Sequence, residues 1–379
     1  MLIDISHCCA EHANEAIESL FAKAAGDPPG DGIWLPHESV FIQRLVELFT
    51  DRGLVRISGI QAELSKWLEH TMHNPGPPQP KPAGGVRRWT KGEVALTKLY
   101  LETLPPDQFT LDDWTMVVDY LVQRYMPAED LIEEAKWLAY RSSMMGRVQS
   151  RLDELSAAGA DALLAAMPAS VAAAQAKVGL TPAQAKMIEY GSLRCAENVV
   201  ALADEARHAL RRMVVDYQQA LAMNDPTLRE SLWSRMFDRF GDMNRDWRRI
   251  AITEAGENAN QGLIASLPEG ARVKRVEQYA NACPFCRKID GRVMTVVPDS
   301  SPEKDGDTMV WPGKTNIGRS AAPRKKTPEG LVDRLPSEMW WIAAGTQHPH
   351  CRGRWVVVQQ DPVGDDPFDQ WMAEALSKV

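Results

Sequence analysis

The sequence contains no run of eighteen uncharged apolar residues, so no helix of it is expected to span a membrane. It also has no excess of positive charge. Lys and Arg number 43 against 51 Asp and Glu, a net charge of −8, which argues against a surface built as a whole for nucleic acid and leaves only local basic patches for that role. The first residues, MLIDISHCCAEHANEAIESL, have early acids and no basic n-region, so they do not read as a secretory signal, and a reducing cytoplasm is the expected setting. Cysteine is sparse: Cys8, Cys9, Cys195, Cys283, Cys286 and Cys351. Few thiols in a long cytoplasmic chain do not make a disulfide framework. Cys8 and Cys9 are adjacent and poor partners for each other, while Cys195 falls on the apolar face of a predicted helix and reads as a small buried hydrophobe. There is no internal repeat, and the GKT at 313–315 lacks both the upstream glycine and the strand-to-helix context of a phosphate-binding loop.

What is present is an ordinary globular mixture, 44% hydrophobic and 25% charged, over 379 residues, enough for two to three domains. Residues 1–73 read as an N-terminal helical unit with helices over 11–25, 37–52 and 58–72. A Pro/Gly-rich linker at 74–90, centred on HNPGPPQPKPAGG, is expected to be extended and to mark a boundary. A helical body follows over 91–227. Thr110 and Asp113 form a capping-box pair, Pro127 and Pro182 suit first helical turns, and Thr181 suits an N-cap. Ile188, Cys195, Val199, Leu202, Ala206, Leu210, Val214, Tyr217 and Leu221 recur at intervals of three, four and seven, the stripe of one long amphipathic helix. Its other face, with Arg207, Arg211 and Arg212, reads as solvated. Asp225-Pro226 starts a further helix with a weak point at Gly241.

After Pro268 the pattern changes to short alternating runs, RVKRVEQYA, RVMTVV and RWVVVQQ, which read as strands. An insertion from Pro298 to Gln347 interrupts them, too long for a simple loop. PFDQWMAEALSKV, within a tail at 359–379, reads as a terminal helix. The fold class expected is therefore α+β: a predominantly helical N-terminal body and a small C-terminal mixed module.

The chemistry concentrates in that module. Cys283-Pro-Phe-Cys286 can bite one ion from a tight turn, and His348 and Cys351, again two residues apart, can supply the other half of a tetrahedron. Three thiolates and one imidazole saturate zinc, which makes the expected role structural, a staple for a module with few strands. Two other readings stand beside this one. The cysteines can be ordinary residues, or His350 can replace His348 as a ligand or act as a base beside an open metal.

Taken together, these residues resemble the Mu F-like head-morphogenesis family, the minor head proteins of tailed bacteriophages. The resemblance rests on Thr253-Glu254 at the end of a helix, on Cys283-Pro-Phe-Cys286 followed by Lys288 to Gly291, and on His348-Pro-His-Cys351-Arg352. It covers about 228–358. Ile252 stands where the family more often has arginine, and Gly353 where it often has a further cysteine. The resemblance implies a virion component of the head interior or portal vertex, assembled in the host cytoplasm. It implies binding to the portal protein, with major capsid or scaffold protein as further partners and the genome DNA within reach. No enzymatic activity is implied. A zinc-dependent nuclease or toxin-like effector is the competing reading, and a DNA-binding zinc module is a third.

Within the insertion, Lys314, Arg319, Arg324, Lys325 and Lys326 form a basic run without an acid between 311 and 328. It reads first as a solvated loop and second as a contact for DNA phosphates or an acidic partner. Trp340 and Trp341 read as packing over the metal module rather than as an exposed anchor. Glu254 and Asp290 are the acids inside the motif. Glu254 is expected to hold an arginine, and Asp290-Gly291 to make a turn.

Overall fold

The structure is a computed structural model and describes residues 40–74, 76–82, 89–152, 155–277, 282–349, 351–359 and 366–379. Cys8, Cys9, the helix expected at 11–25 and His350 lie outside the described residues. The fold is α+β, predominantly helical with a small mixed sheet in the C-terminal part. The helices are α1 (Val40–Leu68), α2 (Lys91–Thr103), α3 (Leu111–Tyr125), α4 (Ala128–Gln149), α5 (Ala157–Ala166), α6 (Val171–Val178), α7 (Pro182–Ala222) and α8 (Pro226–Ser266). Beyond them come β1 (Arg272–Val276), α9 (Pro284–Ile289), β2 (Val293–Val296), β3 (Met309–Val310), β4 (Arg324–Thr327), β5 (Gly330–Asp333), β6 (Arg354–Gln359) and α10 (Pro367–Leu376). Among the described residues no single helix is long and apolar enough to cross a membrane.

The chain forms two compact units. The first holds Phe49–Ala135 and Ala196–Ile250. The segments expected as two helices, 37–52 and 58–72, belong to the single helix α1. Both glycines serve close approach instead of a break. A Cβ on Gly53 would sit 2.4 Å from the indole of Trp247, and one on Gly59 2.4 Å from the ring of Tyr125. Trp247 stacks on Phe49 and donates its Nε1–H to the Phe49 carbonyl at 2.8 Å. The proline-rich stretch expected as a boundary lies within this unit. Asn74 N–H donates to the Glu102 carbonyl at 2.8 Å, and Lys81 donates to Asp113 at 2.6 Å. Asp113 also closes the Thr110 capping box, as the sequence predicts. Arg211, placed by sequence on a solvated face, bridges Asp119 of α3 at 3.2 Å.

The second unit holds Lys136–Cys195 and Ala251–Val379 together with 40–48. Its sheet has the order β3-β2-β1-β6, antiparallel except for the parallel β2–β3 pair. Leu263, Ile264 and Leu267 at the end of α8 cover one face, formed by Val273, Met294, Val296 and Trp355 with Val310, Ile342 and Ala344 of the insertion. Helix α4 meets α8 backbone to backbone. A Cβ on Gly146 would lie 1.9 Å from the Ala259 carbonyl oxygen, and one on Gly262 2.2 Å from that of Ser143. Gly146→Ala is therefore expected to destabilise by about 3 kcal/mol, the upper end of overpacking costs. Gly241→Ala, in open space within an unbroken α8, is expected to stabilise by about 0.5–1 kcal/mol. Urea midpoints at unchanged m-value measure both. The α10 helix is locked on by Arg147, whose Nη2 donates to Asp366 at 2.7 Å and whose guanidinium lies 4.0 Å over the Phe368 ring.

Candidate metal centre

The strand β1 alternates, so Val273, Arg275 and, just past its end, Glu277 point inward while Arg272 and Lys274 point out. Arg275 and Glu277 are both fully buried and paired at 2.6 Å. The next described element is the short helix α9. Cys283 is its N-cap, and the Cys283 thiol accepts from the Cys286 N–H at 3.4 Å, which sets the two sulfurs side by side on one turn. Asp290 then ties the turn back, accepting from the Glu277 N–H at 2.8 Å, and Gly291 turns with φ +76° into β2.

The second half arrives from the far end of the insertion. His348 Nε2 lies 3.4 Å from the sulfur of Cys283 and 3.4 Å from that of Cys286. Ordinary Zn–S and Zn–N lengths at a tetrahedral angle give a sulfur-to-nitrogen separation of roughly 3.6 Å, so the pocket fits such an ion. The imidazole is held in the required tautomer. Its Nδ1 lies 2.7 Å from the Pro349 carbonyl and donates to it, which leaves the Nε2 lone pair facing the thiols. Trp340 stacks on the imidazole at 5.6 Å and 14°, and Phe285 meets Trp340 edge-on. Trp340 thus covers the centre, as the sequence predicts for the tryptophan pair.

Cys351 is fully buried and joins the cluster through Cys286. Its N–H closes a turn on the His348 carbonyl at 3.0 Å, and its sulfur receives a guanidinium hydrogen bond from Arg275 at 3.5 Å. Burial pushes the Cys351 thiol up, but the Cys286 hydrogen bond and the Arg275 charge outweigh it and hold the thiol well below its ordinary range. Cys283, Cys286, His348 and Cys351 together can hold a metal ion.

The cluster has a neighbour that sequence reasoning missed. Glu277, Cys286 and Cys351 form a second triple sharing Cys286. The Glu277 carboxylate also occupies the space beside Gly353, where a Cβ would lie 2.1 Å from its Oε1. The space beside Gly353 is thus filled by a side chain from the end of β1. Arg275 sits against Glu277, Cys351 and the Gly345 carbonyl at once, with the Trp355 ring below it at 5.3 Å.

The end of α8 braces the module through a buried polar row. Glu254 does hold an arginine: Arg194 of α7 reaches it with Nε and Nη2 at 2.9–3.2 Å. Burial lowers the Arg194 pKa, but the Glu257 and Glu254 charges overcome this and raise it. Glu257 accepts from Thr346, Gln261 accepts from the Gly313 N–H at 2.9 Å, and Asn260 donates to the Gly353 carbonyl at 2.9 Å. The polar letters of GENANQG were the available signal, in a stretch where a surface helix would be read.

The basic run does not form one surface. Lys314 is 1% exposed, so it cannot serve as a phosphate contact; it donates to the Gly306 and Met309 carbonyls at 2.7 and 2.8 Å between the Trp311 and Trp341 rings. Arg319 stacks on Trp341 at 3.6 Å and donates to the Met339 carbonyl. Arg324 pairs with Asp333 and Lys325 with Glu338, both around the β4–β5 hairpin, and Lys326 is exposed. Burial lowers the Lys314 pKa to about 7, against the pull of Asp307 and Asp305. The unfolded value is near 10.4. Between these values the unfolded chain binds more protons, so stability at this residue is present at high pH and lost as pH falls toward 7. The urea midpoint is expected to rise from pH 7 to pH 9, with a smaller rise in Lys314→Met.

These features define an α+β protein with a Cys/His cluster able to hold a metal ion, braced by one helix end. No protein-family model, curated protein or solved structure matches the chain.

Proposed function

We propose that the chain is a structural minor head protein of a tailed bacteriophage, of the Mu F-like head-morphogenesis kind, with zinc as a staple. In this reading Cys283, Cys286, His348 and Cys351 hold one zinc ion, which supplies a cross-link between the knuckle at the start of α9 and the turn before β6. The observation that carries it is the meeting of His348 Nε2 with the Cys283 and Cys286 sulfurs, each at 3.4 Å, across 65 and 62 residues of chain. That meeting joins the two motif halves on which the resemblance rests.

The absence of enzymatic activity belongs to the same proposal. Glu254 and Asp290, the motif acids, are committed to Arg194 and to the Glu277 backbone, which supports a scaffolding role for both. Portal protein is the expected partner, with capsid or scaffold protein beside it, in the virion. DNA contact through the insertion loses support, since four of its five cations are buried or already engaged. The test is mass spectrometry of purified procapsids and virions, with metal analysis of the isolated chain. Co-purification with portal and stoichiometric zinc are expected. A chain absent from both particles sinks the head-protein reading, and a metal-free, equally stable chain sinks the staple.

A further inference from the structure

The face of the sheet turned away from α8 carries an unusual set of residues. Its outward positions are Arg272, Lys274 and Val276 of β1, Val293 and Thr295 of β2, and Arg354, Val356 and Val358 of β6. The register sets Lys274 between Val293 and Val356. Val293, Val356 and Val358 are 38%, 36% and 53% exposed, and Arg272 and Lys274 are exposed as well. None of these positions is acidic, in a chain of net charge −8. A face meant only for water mixes both signs and keeps β-branched apolar residues few.

We infer that this face docks an acidic, amphipathic segment of another protein. The exposed Arg272 and Lys274 call for carboxylates, and the valine row calls for aliphatic side chains between them. Nucleic acid answers the first demand and not the second, because phosphates would neutralise Arg272 and Lys274 while leaving Val356 and Val358 without an apolar partner. The same face of a second copy would set Arg272 and Lys274 against their own equivalents. Size points to a segment. Three strands about 4.8 Å apart with a rise of about 3.3 Å per residue present roughly 250 Å². A stable domain interface needs about 800 Å² per partner. One helix or extended stretch covers the face and turns the sheet into the middle layer of three. The inference stands on the surface of the sheet and holds whether or not the chain is a head protein.

The test uses full-length protein and fluorescence anisotropy with a labelled amphipathic peptide, glutamate on one helical face and leucine on the other. Control probes replace glutamate by lysine, or leucine by serine, and a labelled DNA duplex is a further probe. Two double variants change only outward residues: Arg272→Glu with Lys274→Glu, and Val356→Thr with Val358→Thr, each checked for unchanged melting. Micromolar binding of the acidic leucine peptide is expected, weakened about tenfold or more by either double variant. Equal binding by wild type and both variants overturns the inference. So does duplex binding that is tighter than peptide binding and insensitive to the valine changes. Self-association in sedimentation that the valine changes abolish assigns the face to a second copy and overturns it too.

Discussion

Cys286→Ser is expected to unfold the C-terminal sheet at room temperature while leaving most of the helical signal in place. Cys286 is fully buried and belongs to both ligand triples, so no other thiol replaces it. Structural zinc contributes on the order of 10–16 kcal/mol in small modules, against a total stability of about 5–15 kcal/mol for a whole domain. The sheet is small: β2 has four residues and β3 two, and their inner face is closed by the insertion. If the cluster holds an ion, its loss leaves the insertion attached through β3, the buried Val310, Ile342 and Ala344, the polar row of α8 and its own tryptophans. Near-ultraviolet circular dichroism, reporting Trp355 and Trp340, and hydrogen exchange of β1 and β6 measure the loss. A strong chelator is expected to reproduce it in the wild-type chain. Serine and chelator both leaving the tryptophan signal intact would remove the staple from the account.

Arg275→Ala follows with an expected cost of about 3–5 kcal/mol, the range for removing one partner of a buried ion pair. The pair with Glu277 has no solvent exposure on either side. Its removal also orphans the Gly345 carbonyl and takes the guanidinium from the Cys351 sulfur. The double change Arg275→Met with Glu277→Leu separates the two roles. A hydrophobic pair of similar volume is expected to recover most of the stability. It is not expected to recover metal affinity, because Cys351 then lacks its positive neighbour. Denaturant midpoints give the first quantity and competition against a chromophoric chelator gives the second. Full recovery of metal affinity in the double variant would make Arg275 a packing residue only.

Much of the fold was legible because periodicity reports burial directly. The α7 stripe from Ile188 to Val214 is buried as its spacing implies, with Tyr217 and Leu221 half-buried at the end. All three strand segments form strands, and the capping box at Thr110 closes. The two helices expected over 37–52 and 58–72 proved to be one, because Gly53 and Gly59 admit the rings of Trp247 and Tyr125 without breaking α1. For the proline stretch, composition tells that it is extended, not that Asn74 and Lys81 are tied to Glu102 and Asp113. At the site, ligand spacing gave the four side chains, because metal chemistry demands particular residue types. Arg275, Glu277 and Glu257 were not legible. Charged letters normally mean solvent, and only the fold shows that these satisfy one another. The basic run failed in the same way, since Lys314 carries a surface letter into a tryptophan sandwich.

The joining of Cys286 to His348 has a consequence for how this chain can vary. The two residues stand 62 apart, and the contact makes everything between them a closed loop. Closure entropy grows only with the logarithm of loop length, about 0.6 kcal/mol for each doubling. A module pinned at those two points can therefore lengthen between them at little cost, provided the new chain leaves the knot untouched. The β4–β5 hairpin, exposed on both strands and outside the main sheet, lies where such growth meets least resistance. A tag or small domain placed at its tip, between Pro328 and Glu329, should ride on the molecule without loosening it, which makes that turn a natural handle for labelling the protein.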